Sequence, residues 1–404
     1  MIDEMIIAKK FSAEILDKAE KLKLAIPTVP EKLDSPFFFA RFLNANNGDV
    51  EKTRQKILQL FEHRKLMGYD KISDLDIFTT VDIGKECFER FHISQLNYEV
   101  TSRNLHVFVQ RMDGMDIKEI LKIMPLSYVL HSYFMLQENF SRAMAHTERK
   151  TGKTSSVVCI LDLKGLNLMD FMNPLSGPAQ LARLLCKLLL INPPGIISVM
   201  WQVTKRLVDS NTAEKLAFLN NVEDLKKYLE PDSIPVEYGG TYRDDTGYAD
   251  PPEGACKPPK KITKEEYKAQ EYIWNENGML KAPKGESFSV KAFKTVEYSV
   301  KTTTPGKLVW SYTASGDVDF EIVRRDAGKE IAIWPKITVT SLKLPEYGER
   351  CVTPGEYTLK FTNPSNTWFP VKINCAAEIL NGVIVDVFST GEAAVSGGAV
   401  WLKN

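Results

Sequence analysis

The sequence lacks the features that would assign a function most directly. Lysine plus arginine and aspartate plus glutamate both total 52 in 404 residues, so there is no basic excess of the kind that a general nucleic-acid binder needs. The six cysteines are widely scattered and form no CxxC pair, which favours free thiols in a reducing compartment over a disulfide framework. Because the net charge of the chain is zero, any attraction to an anionic surface must come from a local patch of basic residues.

Long apolar runs are also missing. The N-terminal segment is typical of neither a secretory signal nor a transit peptide, because acidic residues stand at Asp3 and Glu4 and its apolar run is short. The longest apolar tract, 184–201, is interrupted by Lys187 and by a Pro-Pro-Gly break, whereas a membrane-spanning helix needs about 20 nearly uninterrupted apolar residues. We therefore expect a cytoplasmic protein that contacts membranes only peripherally.

Catalytic and metal-binding motifs are equally scarce. The chain contains no GxSxG nucleophile elbow, and its five histidines show no HExxH spacing. Residues 151–154 (TGKT) end like a phosphate-binding loop, but they leave a predicted helix and enter a predicted strand, which is the reverse of the order that such a loop requires. The sequence therefore predicts no catalytic residue, no metal site, no cofactor and no enzymatic activity.

The hydrophobic pattern changes along the chain and predicts several units. Helical spacing at the N-terminus gives way to strand-like runs that alternate with a long helix after Pro125, as in an α/β domain. After a proline- and glycine-rich linker the apolar period becomes two, which predicts an antiparallel β-sandwich. The predicted units are a helical module (1–75), an α/β domain (76–243), a linker (244–274), the sandwich (275–382) and a glycine-rich tail (383–404).

The segment from Gly195 to Val208 is predicted to be a helix that is apolar on two faces. It ends a longer stretch, 171–208, that contains four basic residues and no acid. A helix that is apolar most of the way round must bury both sides, so one interpretation is a core helix. The other is a lid with one face on an apolar cavity and the other on a membrane, where Trp201 and the flanking cations would lie at the interface.

Several stretches resemble CRAL-TRIO lipid-transfer proteins. Residues 230–241 (EPDSIPVEYGGT) are similar to the closing signature of that domain, 191–194 (INPP) to the strand before its gate helix, and 161–166 (LDLKGL) to its strand ending in D-x-x-G. The early segment 39–43 (FARFL) resembles the helical N-terminal module of these proteins, and the β-rich end is similar to a GOLD domain. The combination resembles the group of animal proteins that includes supernatant protein factor and tocopherol-associated protein.

This resemblance implies a closed hydrophobic pocket between a sheet and a gate helix. It implies a phospholipid, tocopherol or squalene-like ligand that is carried between membranes, the Golgi among them, and a partner- or membrane-docking role for the GOLD domain. The alternative is a lipid-sensing adaptor that docks a protein partner through the GOLD domain without bulk transfer. The predicted pocket and gate residues are Phe108, Tyr133, Phe140, Ile160, Leu190, Ile196, Ile197, Met200, Trp201, Val203 and Leu207. The predicted membrane contacts are Arg183, Lys187, Lys205 and Arg206.

Three positions depart from the pattern of family members that bind phosphatidylinositol. A Tyr-Pro-Glu motif is replaced by residues 181–183 (LAR), which puts Arg183 where those members have an acid. Glu237 stands where they have a lysine, and residues 44–46 (NAN) replace a basic Arg-x-Arg. The sequence therefore predicts weak discrimination in favour of phosphatidylinositol over phosphatidylcholine or neutral lipids.

Overall fold

In the computed structural model, the described residues of the chain form helices and three β-sheets. The described residues are 6–72 (except 9 and 27), 87, 90, 93–95, 103–165 (except 114–116), 187–193, 215–243, 256 and 260–381 (except 366–368). Within them the helices are α1 (Ala13–Ala25), α2 (Phe38–Ala45), α3 (Val50–Leu66), α4 (Ile117–Ile120), α5 (Leu126–Thr151) and α6 (Tyr272–Glu276). The described helices include none that is both long and apolar enough to cross a membrane.

The N-terminal helices form a small unit with its own core. Ser12 and Asp49 begin α1 and α3, because their side chains accept from the otherwise unpaired backbone N–H groups of Ile15 and Lys52. The helix α3 ends before Gly68, which adopts a left-handed φ of 74°. The aromatic and aliphatic side chains of the three helices pack together at the centre, as the helical spacing predicts.

The central sheet consists of five strands in sequential order. They are β1 (Ile93–Gln95), β2 (Leu105–Arg111), β3 (Ser156–Asp162), β4 (Lys187–Ile191) and β5 (Leu216–Phe218). The first pair is antiparallel and the other neighbours are parallel. The strand β3 is buried along its whole length, as its nearly continuous apolar sequence predicts for a strand that is covered on both faces.

The long helix α5 connects β2 to β3. It ends at Gly152, which has a φ of 66° and donates its N–H to the carbonyl of Glu148. The TGKT stretch is thus the end of a helix followed by a strand, as the order of its predicted neighbours indicates. This geometry is the reverse of a phosphate-binding loop.

The C-terminal region is a two-sheet antiparallel sandwich, which confirms the predicted fold class. Its sheets have the strand orders β10-β9-β12-β7 and β11-β8-β13-β6. The strands are β6 (Glu286–Val290), β7 (Thr295–Thr302), β8 (Gly306–Ala314), β9 (Val318–Asp326), β10 (Lys329–Val339), β11 (Glu346–Val352), β12 (Gly355–Thr362) and β13 (Val371–Asn381). Helix α6 crosses the boundary expected at residue 275, because its Trp274 is fully buried and donates to the Ser311 hydroxyl of β8 at 2.9 Å.

Strand β11 joins the sandwich to helix α5 of the α/β region and to helix α3 of the N-terminal unit. The Glu346 carboxylate accepts from the backbone N–H groups of Leu126 and Ser127 at 3.1 and 3.0 Å, where Pro125 supplies no side-chain cap to α5. Four residues further along, the Arg350 guanidinium donates to the carbonyl of Leu66, the last residue of α3, at 2.8 Å. The carboxyl group of Glu346 therefore lies at the positive end of one helix, and the guanidinium of Arg350 lies at the negative end of the other.

The described parts of the predicted linker are bound to the α/β region. Cys256 is buried in the cluster that contains Tyr238, and its N–H donates to the Glu237 carboxylate at 2.8 Å. Arg90 donates to the carbonyl oxygens at 260 and 261, both at 3.2 Å, and forms an ion pair with Glu266. These contacts attach residue 256 and residues 260–266 to the α/β region.

Candidate ligand-binding site

The central sheet has two distinct buried faces. Successive side chains of a strand point to opposite faces, and residues paired in a parallel register share a face. Thus Phe108, Cys159 and Leu188, which lie opposite one another on β2, β3 and β4, point to the same side. That side faces α5, because the rings of Phe108 and Phe140 have centroids 4.8 Å apart. We call it the α5 face and call the other side the far face.

Four predicted pocket residues lie on the α5 face. Phe108 and Leu190 come from the sheet, Tyr133 and Phe140 come from α5, and all four belong to one buried cluster. Ile160 is not brought together with them, because it packs in the far-face cluster. A shift of one residue along a strand reverses the face, so Cys159 and Leu161 take that position on the α5 face.

A polar pair is embedded in the apolar α5 face. Gln110 is buried, and its side chain is hydrogen-bonded to the Tyr133 hydroxyl. Burial raises the pKa of Tyr133, so the phenol remains protonated at neutral pH. The pair gives this face one hydrogen-bonding point among aromatic and aliphatic side chains. Sequence reasoning missed Gln110, although its two-residue spacing from Phe108 would have placed it there.

His106 adds a second polar group to the same face. Its Nε2 lies 3.1 Å from the Thr147 hydroxyl of α5. Burial lowers the pKa of His106 to about 4, so the ring is neutral at physiological pH. The α5 face thus carries polar side chains but no ionised group from β2.

A buried charge cluster holds the middle of α5. The Glu138 carboxylate accepts from Arg64 of α3 at 2.8 and 2.7 Å and from Arg142 at 2.7 Å. Burial alone would raise the pKa of Glu138, but the two guanidinium groups lower it. Arg142 also donates to the carbonyl oxygens of Tyr69 and Ile72. The helix that carries Tyr133 and Phe140 is therefore fixed against the N-terminal helices.

Most of the predicted gate and membrane-contact residues lie outside the described residues. These are Ile196, Ile197, Met200, Trp201, Val203, Leu207, Arg183, Lys205 and Arg206. Lys187 is described at the start of β4, where its ammonium group lies 5.9 Å from the centroid of the Tyr228 ring. Among the described residues no group of three or more side chains is arranged to hold a metal ion.

The three family-like motifs meet at the carboxyl end of β3. The buried Asp162 accepts from the Tyr238 hydroxyl at 3.0 Å, from the Asn192 amide at 2.8 Å and from the Lys164 N–H at 3.0 Å. These residues belong to the EYGG, INPP and LDLKG stretches. The motifs therefore form a structural junction and stabilise the end of the sheet.

The backbone of the closing turn explains why its signature contains two glycines. Gly239 has a φ of 78°, and a Cβ added to Gly240 would lie 1.9 Å from the Ile234 carbonyl oxygen. Only glycine fits there. The turn packs on the far face through Tyr238, while Glu237 is exposed and bonded to the Cys256 N–H.

Comparison with known proteins identifies the central region. The family model for the CRAL/TRIO domain matches residues 99–240, which include β2 to β5, α5 and the closing turn. A CRAL-TRIO domain-containing protein of Caenorhabditis elegans is 25% identical over 381 residues, covering 87% of this chain and 91% of the nematode protein. A phosphatidylinositol/phosphatidylcholine transfer protein of Arabidopsis thaliana is 23% identical over 332 residues, covering 74% of this chain and 57% of the plant protein.

Solved structures were compared as well. The crystal structure of Sfh5 aligns with 63% of this chain and 93% of its own, at 13% identity and a TM-score of 0.38. The likeness to this family depends on the sequence match and on the junction of the motifs around Asp162. Residues 99–240 match the CRAL/TRIO domain, and in this chain a helical module precedes that region and a β-sandwich follows it.

Proposed function

We propose that the chain binds a hydrophobic, lipid-like molecule against the α5 face and transfers it between membranes. The observation that carries the proposal is the composition of this face within the CRAL/TRIO domain. Phe108, Tyr133, Phe140 and Leu190 supply apolar surface, and the Gln110–Tyr133 pair and His106 supply a few polar groups. Binding sites for small ligands typically combine an apolar lining with few polar groups.

The mechanism of such a protein is physical. Burying an acyl or isoprenoid chain contributes about 0.8 kcal/mol per methylene group, so a long chain does not leave through water unaided. Release requires an opening at a membrane, where the exit is already apolar. The segment 195–208 is the proposed gate, with Trp201, Lys205 and Arg206 at the membrane surface.

The headgroup of the ligand is proposed to be neutral or to lack inositol. The Arabidopsis relative is named for transfer of phosphatidylinositol and phosphatidylcholine. In this chain, however, the acidic Glu237 accepts from the Cys256 N–H on a turn that packs against the far face. The resemblance implies a lysine at this position in members that bind phosphatidylinositol, and an acidic residue there does not attract the phosphate of that lipid.

The experiment is mass spectrometry of organic extracts from the purified protein, followed by a vesicle-to-vesicle transfer assay. We expect one dominant lipid class in the extract and faster transfer of that class than of phosphatidylinositol. A protein that yields no lipid and accelerates no transfer would contradict the proposal. Recovery of a radiolabelled lipid with its structure unchanged would separate transfer from an enzymatic reaction.

The contact between Glu346 and α5 favours a second candidate, the lipid-sensing adaptor. Because the sandwich, which is compatible with a GOLD domain, is attached to the helix that carries Tyr133 and Phe140, occupancy of the α5 face could be transmitted to a docked protein. Hydrogen exchange with and without the extracted lipid tests this candidate. Protection that changes in β11 on loading, without measurable transfer, would favour the adaptor over the carrier.

A further inference from the structure

One end of the sandwich exposes a group of large apolar side chains. Phe293 is 65% exposed in the β6–β7 connection, Leu342 is 42% exposed in the β10–β11 connection and Phe369 is 82% exposed in the β12–β13 connection. These connections lie side by side. The Phe293 N–H donates to the carbonyl of Asn363 at 3.0 Å, and the Ala314 N–H donates to the Ser341 hydroxyl at 2.9 Å. We call this end, formed by residues 291–294, 315–317, 340–345, 363–365 and 369–370, the loop face.

Stability does not explain the phenylalanine at position 293. Its φ is 55°, in the left-handed region that glycine and asparagine adopt most readily and that is strained for a bulky residue. Its ring is mostly in water, so it adds little to the core. A strained conformation that holds an apolar ring in solvent indicates a role outside folding.

The loop face is also basic, although the whole chain is neutral. Lys291, Lys294 and Lys343 lie in its connections and Lys372 lies at the start of β13, and all four are exposed. None of the four forms an ion pair with a residue in the described part of the chain. Asp317 is the one acidic residue in these connections. The local excess of positive charge complements an anionic surface.

A groove with both apolar and polar lining residues runs along the same end. Its volume is about 510 Å³, and its lining includes the hydroxyl groups of Ser287, Ser289 and Thr313 together with Lys343 and Lys372. Hydroxyl and ammonium groups are the donors that bind phosphate oxygens. The loop face therefore combines apolar tips, cations and hydrogen-bond donors within one end of the domain.

We propose that the loop face is a bilayer-docking surface that inserts Phe293, Leu342 and Phe369 into the headgroup region of an anionic membrane. Exposed aromatic and aliphatic side chains would enter the interface, while the lysines contact lipid phosphates. The loops are held by hydrogen bonds to rigid strands, so little ordering cost accompanies insertion. Docking through the sandwich goes beyond the proposed transfer function, which places membrane contact at residues 195–208.

The test is co-sedimentation of the full chain with phosphatidylcholine vesicles, with and without phosphatidylserine. The double variant Phe293→Asn/Phe369→Ser should reduce binding to the anionic vesicles at least about tenfold, because two apolar anchors are lost. Asparagine tolerates the left-handed φ, so the melting temperature should be unchanged or higher. Lys291→Glu/Lys294→Glu should reduce the preference for phosphatidylserine and the sensitivity to salt.

The matched control is Ile331→Ser on β10, which replaces an apolar residue that is 51% exposed near the opposite end of the same domain. It should bind vesicles like the wild type. Equal binding by the wild type and the double phenylalanine variant, or an equal loss in the control, would overturn the proposal. Normal vesicle binding by the double variant together with loss of a protein partner would assign the loop face to protein docking and would also overturn it.

Lipid content distinguishes this proposal from the proposed function. The double variant should retain its co-purified lipid, measured by mass spectrometry, while its transfer rate falls. If the wild type carries no lipid but still requires the two phenylalanines for vesicle binding, the docking surface stands and the transfer function fails. If the wild type carries lipid and binds vesicles independently of the loop face, the transfer function stands and the docking surface fails.

Discussion

The two faces of the central sheet are closed in different ways. The far face is covered by nearby turns, whose path is fixed by Gly240 and by the hydrogen bonds of Asp162. Among the described residues, the α5 face is covered by the long helix α5, which is held from outside the domain by Arg64 of α3 and Glu346 of the sandwich. The first arrangement leaves little room for change, whereas the second can respond to contacts with other regions. The α5 face is therefore better suited than the far face to a ligand that must enter and leave.

The largest expected effect tests the rigidity of the far face. Gly240→Ala would place a Cβ 1.9 Å from a backbone oxygen, so we expect a loss of about 3 kcal/mol or more in the free energy of unfolding. Gly152→Ala is the control for backbone strain alone, because Gly152, unlike Gly240, has a left-handed φ of 66°, and no atom lies within 4 Å of the added Cβ. It should cost only about 1 kcal/mol. Denaturant unfolding of both variants measures the difference, and equal losses would contradict the steric explanation.

A second prediction concerns the contact of Glu346 with the start of α5 and its effect on the pH dependence of stability. Burial raises the pKa of Glu346 from its ordinary value of 4.5 to about 7. The folded protein then keeps a proton that the unfolded chain releases between these two values. The free energy of unfolding should therefore fall by about 3 kcal/mol as the pH rises from 4.5 to above 7.

Glu346→Gln should remove this part of the pH dependence, because glutamine does not titrate. Denaturant unfolding at pH 5 and pH 8 measures it, and the variant should gain stability relative to the wild type at the higher pH. Glu346→Asp keeps the carboxyl group and should keep a pH-dependent slope. A constant difference between the wild type and the glutamine variant at both pH values would contradict the prediction.

The polar pair on the α5 face gives a smaller effect. Tyr133→Phe leaves the buried Gln110 without its hydroxyl partner and should cost about 1–3 kcal/mol. Adding Gln110→Leu removes both polar groups and should recover much of that loss. The double variant should also shift the co-purified lipids towards less polar molecules. A ligand profile unchanged in the double variant would show that the pair does not contact the ligand.

The smallest expected effect concerns the headgroup. Glu237→Lys restores the charge that phosphatidylinositol-binding relatives are expected to carry, and it should raise phosphatidylinositol transfer only a few-fold, because one exposed charge contributes about 1 kcal/mol or less. Glu237→Gln is the control for loss of the contact with the Cys256 N–H. Efficient and selective transfer of phosphatidylinositol by the wild-type protein would contradict the interpretation of Glu237.

Local patterns predicted the elements well. The helical spacing at the N-terminus, the start of the long helix after Pro125 and the strand-like runs of the α/β domain are encoded by neighbouring residues, and the structure has these elements. The contacts between distant segments were not predicted. Glu346 looks like an ordinary strand residue until α5 is placed beside it, because the two segments are joined only by tertiary packing.

Because the sequence did not reveal contacts between distant segments, it also did not fully predict the candidate site. Ile160 was assigned to the pocket because it lies in an apolar strand, and a strand that is apolar on both faces gives no periodic signal of which side meets the ligand. The family-like motifs were recognised, but their joint role around Asp162 required the fold. The gate residues remain predictions, since they lie outside the described part of the chain.

The attachment of the linker at Arg90 and Cys256 has a consequence for assembly. A free linker would let the sandwich explore a large volume around α5, whereas a pinned one confines β11 to the neighbourhood of its contacts. The effective concentration of Glu346 near the N-terminal end of α5 is therefore set by the short stretch of chain after the attached residues, and not by the whole connecting segment. A contact too weak to join two separate molecules then remains closed within one chain, and exchange of sandwiches between neighbouring molecules is disfavoured.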